Sequence, residues 1–273
     1  GRIFIKECES KGAKAFLIDD PAKINKTVSI PYIKVEDTKK ALQDLAAAYR
    51  DQLTCKVIAI TGSNGKTTTK DLLHKVLSEK YKTQKTCGNL NNEIGVPKTV
   101  LSLDTDTEVA IIELGTDNFG DISLTSRMVK PHISMITNIG DSHLHNLKSR
   151  SGILKAKLEI LEGMDDDGIF IYNIDDPTME KEVPTYQIKQ KVLSFGSSEK
   201  ATFRINFEKS GPASIRFSHG DDFYQVPLMG ENNIYNAAAV VMISQMLGLD
   251  KKTIDNGFAK ATSSQNRTEL LEF

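Results

Sequence analysis

Residues 57–70 read VIAITGSNGKTTTK, an apolar run that passes through two glycines into a stretch opening on Lys66. Few folds accommodate that order. The run has to be a buried strand, the glycines have to turn the backbone sharply, and a helix has to begin at about Lys66 and run to about Lys80. Folded that way, Gly62, Ser63, Asn64, Gly65, Lys66 and Thr67 form a cradle for phosphate. Amide N–H groups at the helix start face the anion, Lys66 neutralises charge, and the Thr67 hydroxyl is placed to ligate Mg²⁺. The spacing departs from the strict G-x-x-x-x-G-K-[ST] loop, because position 60 is Ile and the first glycine lies only three residues before Gly65. A purely structural turn is the competing reading.

Around this segment, apolar strands alternate with amphipathic helices. "VAIIEL", "HISMITNI" and "GIFIYNI" are almost continuously apolar, which argues for a mainly parallel sheet covered on both faces. Right-handed crossovers then bring the C-terminal strand ends, and any ligand, to one edge. Between Val192 and Pro227, "VLSFG", "TFRINFE", "SIRFSH" and "FYQVPL" alternate at period two and are expected to form a small antiparallel meander. Helices are expected over Asn233 to Leu247 and Lys252 to Ala261. Upstream, residues 1 to 53 read as helix, strand, strand, helix, with short strands at Ala15 to Asp19 and Tyr32 to Val35 and an N-cap at Asp37. The fold class is therefore α/β, a P-loop domain preceded by part of a small α/β domain.

Composition closes several other routes. With 39% hydrophobic and 26% charged residues, and 35 basic against 36 acidic side chains, the chain suits neither disorder nor coating of nucleic acid. The longest apolar runs fall well short of the ~18 residues that a membrane span needs, and the start lacks the apolar core of a secretory signal. Cys8, Cys55 and Cys87 are odd in number and far apart, so they read as reduced thiols of a cytoplasmic protein rather than disulfides or zinc ligands. The chain opens on Gly1 and its first methionine is Met128, so it is expected to be a piece of a longer product.

Further candidates cluster at strand ends. Glu113 closes "VAIIE" at the same edge as the glycine turn, where a carboxylate suits Mg²⁺ held against phosphates; a solvent-facing acid is the alternative. His143 and His145 follow "HISMITNI" at that edge. Lys157 lies on the helix "SGILKAKLEILEG", where a lysine is ordinarily a solvated face. Asn89, Asn91 and Asn92 in "GNLNNEIGVP" either satisfy local backbone groups or contact substrate. Asn236 stands near the start of "NNIYNAAA", where simple N-capping is the plainer reading.

Taken in order, "TGSNGKTTTK", "GNLNNEIGVP", "IIELG", "TNIGDSHL", "ILKAKLEI" and "NNIYNAAA" resemble the Mur ligases of bacterial cell-wall synthesis. The asparagine-rich loop is similar to that of the members that join D-alanyl-D-alanine to UDP-N-acetylmuramoyl tripeptide. The resemblance implies a three-domain, ATP-dependent amide ligase, a monomer acting through an acyl phosphate. It implies that residues 1–53 end a UDP-substrate domain, that 54–262 are the ATP-binding domain, and that 263–273 form a hinge toward a further domain. It also implies roles: Lys66 on the transferring phosphate; Thr67, Glu113, His143 and Lys157 around two Mg²⁺ ions; Lys157 carbamylated by CO₂; Asn236 on adenine; and Arg267 near the hinge. Asn232 and His145 depart from the family pattern. A different ligase of the superfamily, such as the third-residue-adding enzyme or folylpolyglutamate synthetase, and a nucleotide-binding module without ligase activity are the alternatives.

Overall fold

The computed structural model describes residues 5–21, 30–142, 144–211 and 213–261. His143 and Arg267 therefore lie outside the described residues. The chain opens with α1 (Ile5–Ser10), β1 (Phe16–Ile18) and β2 (Tyr32–Lys34), the two strands pairing in parallel. Asp37 caps α2 (Thr38–Arg50) as the sequence predicts, its carboxylate accepting from the Lys39 and Lys40 amides at 2.7 and 2.9 Å.

Strand and helix then alternate through β3 (Lys56–Thr61), α3 (Lys66–Leu77), β4 (Thr83–Lys85), α4 (Gly95–Leu101), β5 (Val109–Glu113) and α5 (Asp121–Val129). The pattern continues with β6 (Ile133–Ile136), α6 (Leu144–Leu147), α7 (Arg150–Leu158), β7 (Ile169–Asn173), α8 (Pro177–Glu182), β8 (Lys191–Gly196) and β9 (Phe203–Arg204). These strands make one seven-stranded sheet in the order β4-β5-β3-β6-β7-β8-β9, every neighbouring pair parallel. A three-stranded antiparallel sheet follows, of β10 (Asn206–Phe207), β11 (Ile215–His219) and β12 (Asp222–Val226), then α9 (Asn233–Met246) and α10 (Lys251–Ala259).

The antiparallel meander is smaller than expected. "VLSFG" is β8 and pairs in parallel with β7, while "TFRINFE" splits between β9 of the large sheet and β10 of the small one. β8 is exposed at its start and covered at its end, and the edge strand β9 pairs with that end alone, so alternation of residue types there does not distinguish an antiparallel meander from the margin of the parallel sheet.

Both faces of the large sheet are buried because consecutive strand residues are apolar. Ile58 and Ile60 pack with Leu73 and Val76 of α3, Val240 and Ile243 of α9 and Phe258 of α10. Val57 and Ala59 face the other way, against Val96 and Val100 of α4, Ile122 and Val129 of α5, and Ala46 of α2. Beyond them, Ile136, Phe170 and Tyr172 pack on Ile153 and Leu154 of α7 and Met179 of α8. Arg50 fastens α2 to this layer. Its buried guanidinium donates to the carbonyls of Leu53, Val129 and Lys130 at 3.0, 2.7 and 3.3 Å, capping the end of α5.

From β3 the chain moves first to the edge strand β4 and then to β5 on one side, before crossing to β6 and β7 on the other. The reversal opens a crevice at the C-terminal ends of β5, β3 and β6, the usual place for a ligand in such sheets.

Candidate active site

The glycine turn lies in that crevice. Gly62 and Gly65 both take positive φ, 150° and 80°, and both are closely approached. A Cβ on Gly62 would collide with Thr137 Oγ1, and one on Gly65 with Asn236 Oδ1. Gly65 caps α3 without a side-chain acceptor, so the first-turn amides are left for an anion. The loop is pinned from the end of β6. Ser63 N donates to Asn138 O at 3.0 Å, Asn64 N to Asn138 Oδ1 at 2.9 Å, and Asn138 Nδ2 back to Asn64 O at 3.0 Å. Asp176 steadies the pinning strand end in turn, accepting from Ile139 N at 2.7 Å. Lys66 folds back over the turn, Nζ donating to Gly62 O at 2.7 Å.

Glu113, at the end of β5, is almost wholly buried and is the meeting point of three segments. Thr67 donates its hydroxyl to Oε2 at 3.1 Å, Lys70 Nζ stands 3.3 Å from the same oxygen, and Asn91 Nδ2 donates to Oε1 at 2.9 Å. Gly115 allows Asn91 to approach, since a Cβ there would lie 2.9 Å from the Asn91 carboxamide. Thr67 and Glu113, expected as cation ligands, are thus in contact.

Between α3, α7 and the asparagine-rich loop lies a cavity of about 310 Å³, lined by Lys66, Asn91, Asn92, Thr116, Asp117 and Lys157. Lys157 is 2% exposed, and among the described residues it has no hydrogen-bond or ion-pair partner. Burial, and then the nearby charge of Lys66, lower its amine from the ordinary value of 10.5 to about 7. The solvated-face reading of this lysine is overturned by burial: it lies on a largely buried helix, where Ile153, Leu154, Ala156 and Leu158 are buried as well.

A second cavity, of about 470 Å³, opens on the other side of the turn, lined among others by Gly65, Thr68, Asn138, Asp175, Asn232 and Asn236. Asn236 is buried rather than capping. Its Oδ1 accepts from Thr69 Oγ1 at 3.2 Å and its Nδ2 donates to Asn233 Oδ1 at 2.8 Å. Asp175 accepts from Ser197 N, Ser197 Oγ and Ser198 N at 2.6, 2.7 and 3.0 Å. Burial alone would raise this carboxyl, but those donors hold it below the usual range.

The three candidate asparagines separate. Asn91 holds Glu113, whereas Asn92 Oδ1 accepts from Ile94 N and Gly95 N at 3.2 and 2.8 Å and so organises the start of α4. Asn89 is exposed and does not line the cavity. His145 is exposed and lies 2.9 Å from the Oδ1 of its neighbour Asn146. Sequence reasoning passed over Lys70, Thr137, Asn138 and Asp175. The first three fall inside quoted motifs, in "GKTTTK" and "TNIGDS", and that position was the available signal.

Among the described residues no three of His, Cys, Asp and Glu gather as a metal site. The donor set nevertheless fits Mg²⁺, which takes one or two carboxylates together with phosphate and water oxygens. Glu113 and Thr67 supply a carboxylate and a hydroxyl side by side. No helix among the described residues is long and apolar enough to cross a membrane.

Comparison with known proteins agrees with this geometry. Residues 60–244 match the family described as Mur ligase middle domain. The UDP-N-acetylmuramoyl-tripeptide–D-alanyl-D-alanine ligase of Bacillus subtilis (strain 168) is 36% identical over 272 residues, covering 100% of this chain and 59% of that protein. A crystal structure of MurF from Acinetobacter baumannii superposes with a TM-score of 0.88 at 33% identity, covering 100% of this chain and 60% of the other. MurF from Thermotoga maritima in complex with ADP gives 0.77 at 28% identity, covering 93% and 59%. The chain thus spans about three-fifths of the length of the relatives it matches.

Proposed function

The chain belongs to the Mur ligase family, and from that membership we propose that it carries the nucleotide half of an ATP-dependent ligase joining D-alanyl-D-alanine to UDP-N-acetylmuramoyl tripeptide. The observation that carries the reading is the meeting of Lys66, Lys157 and Asn91 in one cavity beside the Thr67–Glu113 pair. That cavity adjoins the phosphate turn on the side away from the amide-lined second cavity, which suits a nucleoside. The asparagine-rich loop is the part that distinguishes this branch of the family.

In the reaction, a carboxylate oxygen of the tripeptide forms a bond to the γ-phosphorus of ATP while the β,γ-bridging bond breaks and ADP leaves. The dipeptide amine then attacks the acyl carbon, and the tetrahedral adduct collapses with loss of phosphate and a proton. The chain's task is positioning and charge stabilisation. Amides at the start of α3, from Gly65 to Thr67, hold the phosphates, and Lys66 moves from Gly62 O onto the transferring group. Thr67 and Glu113, with Lys157 as a carbamate and His143 beyond the described residues, would hold Mg²⁺, whose charge when bound offsets the repulsion between carboxylate and triphosphate. Lys157 suits carbamate formation because an amine titrating at about 7 is substantially unprotonated near neutrality. Its nitrogen attacks CO₂, a C–N bond forms as one C–O π bond opens, and one proton is released, leaving an anion where a buried amine stood. The free thiols and the use of ATP support a cytoplasmic setting.

Two measurements test the proposal. Calorimetric titration of this chain with ATP and magnesium should give binding that Lys66→Ala weakens on the order of 100-fold, equivalent to ~3 kcal/mol; unchanged affinity would remove the phosphate assignment. In the longer protein, phosphate release should require the tripeptide and D-alanyl-D-alanine together. Equal turnover with single amino acids as acceptors would place it in another branch, and robust turnover by the 273-residue chain alone would contradict its role as one half.

A further inference from the structure

We infer that Lys70 is a built-in counter-cation that holds the Glu113 carboxylate and the asparagine-rich loop in place before any divalent cation binds. Lys66 and Lys70 are four residues apart on α3, so they leave the helix on one face. They do different things. Lys66 turns back to Gly62 at the cavity, whereas the Lys70 side chain is 1% exposed and runs under the loop to the end of β5. An ammonium that deep requires a compensating charge and acceptors. It has both: Glu113 Oε2 at 3.3 Å and Gly88 O at 2.8 Å, with Asp71 Oδ1 at 3.9 Å.

The consequence follows from where those acceptors sit. Gly88 opens the loop and Asn91 lies in its middle, bound to the other Glu113 oxygen at 2.9 Å. Two anchors of the loop therefore run through one buried ion pair. From the outside α2 adds Gln43 Nε2 to Glu93 O at 3.0 Å and an exposed Lys39–Glu93 ion pair at 4.0 Å, which water screens. Without Lys70, Glu113 would keep, among the described residues, the neutral donors Thr67 and Asn91, and a buried carboxylate so served is strongly disfavoured. With Lys70 the charge is balanced and the loop is seated in advance, so magnesium has no uncompensated carboxylate to bind on its own and joins the arrangement only together with the nucleotide phosphates. The inference rests on the proposed function only in placing Glu113 beside the phosphate turn.

Thermal unfolding of the chain with and without magnesium chloride, in the absence of nucleotide, combined with amide hydrogen exchange, tests it. The wild-type midpoint should not respond to magnesium. Lys70→Met should lower the midpoint by several degrees, magnesium should restore part of the loss, and amides of residues 88–95 should exchange roughly tenfold faster while α9 keeps its protection. Lys70→Arg, which keeps the charge, should restore magnesium insensitivity. Should Lys70→Met fail to fold, the double variant Lys70→Met/Glu113→Gln, which removes both charges, should fold and still exchange quickly at 88–95. A wild-type midpoint in Lys70→Met overturns the inference. So does a lowered midpoint without magnesium response and without faster loop exchange, or failure of the double variant as well, since Lys70 would then serve packing alone. These readouts do not involve amide formation, so their failure leaves the proposed reaction untouched.

Discussion

The two cavities that meet at the glycine turn are held together by different means. On the Asn236 side, neutral amides and hydroxyls interlock at the turn, Asn64 with Asn138 and Thr69 through Asn236 to Asn233, while the carboxylates of Asp175 and Asp176 that also line that cavity are held by backbone amides. Each named donor finds an acceptor, and the loop geometry is over-determined. On the Lys157 side, charges dominate, with a buried Glu113–Lys70 pair and a buried amine that has no partner among the described residues. The first arrangement is a rigid template, suited to holding one ligand in one pose. The second keeps binding capacity for anionic groups in reserve and is destabilised by it until they arrive.

If the neutral side is a rigid interlock, crowding it should have the largest effect on folding. Gly65→Ala puts a methyl into Asn236 Oδ1 and an alanine at φ 80°. The expected cost is about 3 kcal/mol in urea unfolding. In an Asn236→Ala background the collision disappears and only the left-handed backbone penalty remains, about 1 kcal/mol. Equal costs in the two backgrounds would mean that the turn and α9 are not interlocked.

The charged side should show the opposite sign. The Lys157 amine titrates at about 7 in the folded chain against an ordinary 10.5, so between those values the unfolded chain binds more protons and stability rises with pH. Below about 7 both states carry the charge and the folded state bears the full burden of burying it. Lys157→Met should therefore stabilise the chain in CO₂-free buffer, by about 3 kcal/mol more at pH 6 than at pH 9. A gain independent of pH, or a loss at pH 6, would show that the amine is not a buried liability.

The contrast also explains what could be read in advance. The strand, glycine turn and helix over residues 56–77 were legible because apolar run, glycine spacing and helix start are all local signals. Glu113 was legible because a parallel sheet fixes which strand ends share an edge. Lys70 was not, since one lysine among several on an amphipathic helix looks solvated until β5 and the loop are known to lie over it. The reciprocal pairing of Asn64 with Asn138 joins positions 74 apart and has no local signature. The same limit applies to "VLSFG", whose parallel partner β7 is separated from it by α8. It applies as well to α2, read with the first two strands although Ala46 is buried in the large sheet's own core.

Within the asparagine-rich loop the contrast between the two sides can be drawn at adjacent residues. Asn91 gives its carboxamide to Glu113, while Asn92 gives its oxygen to the amides of Ile94 and Gly95 at the start of α4. A residue whose work is local hydrogen bonding needs only an acceptor. Asn92→Ala should cost about 1 kcal/mol, as loss of a helix cap does. Asn92→Asp keeps the acceptor and adds a negative charge near a helix N-terminus, so it should hold stability within about 0.5 kcal/mol of the parent. Nucleotide affinity should be unchanged in both, because neither alters the turn or Glu113. If Asn92→Asp is as costly as Asn92→Ala, the Asn92 amide nitrogen is the group that matters, and Asn92 belongs with Asn91 on the charged side.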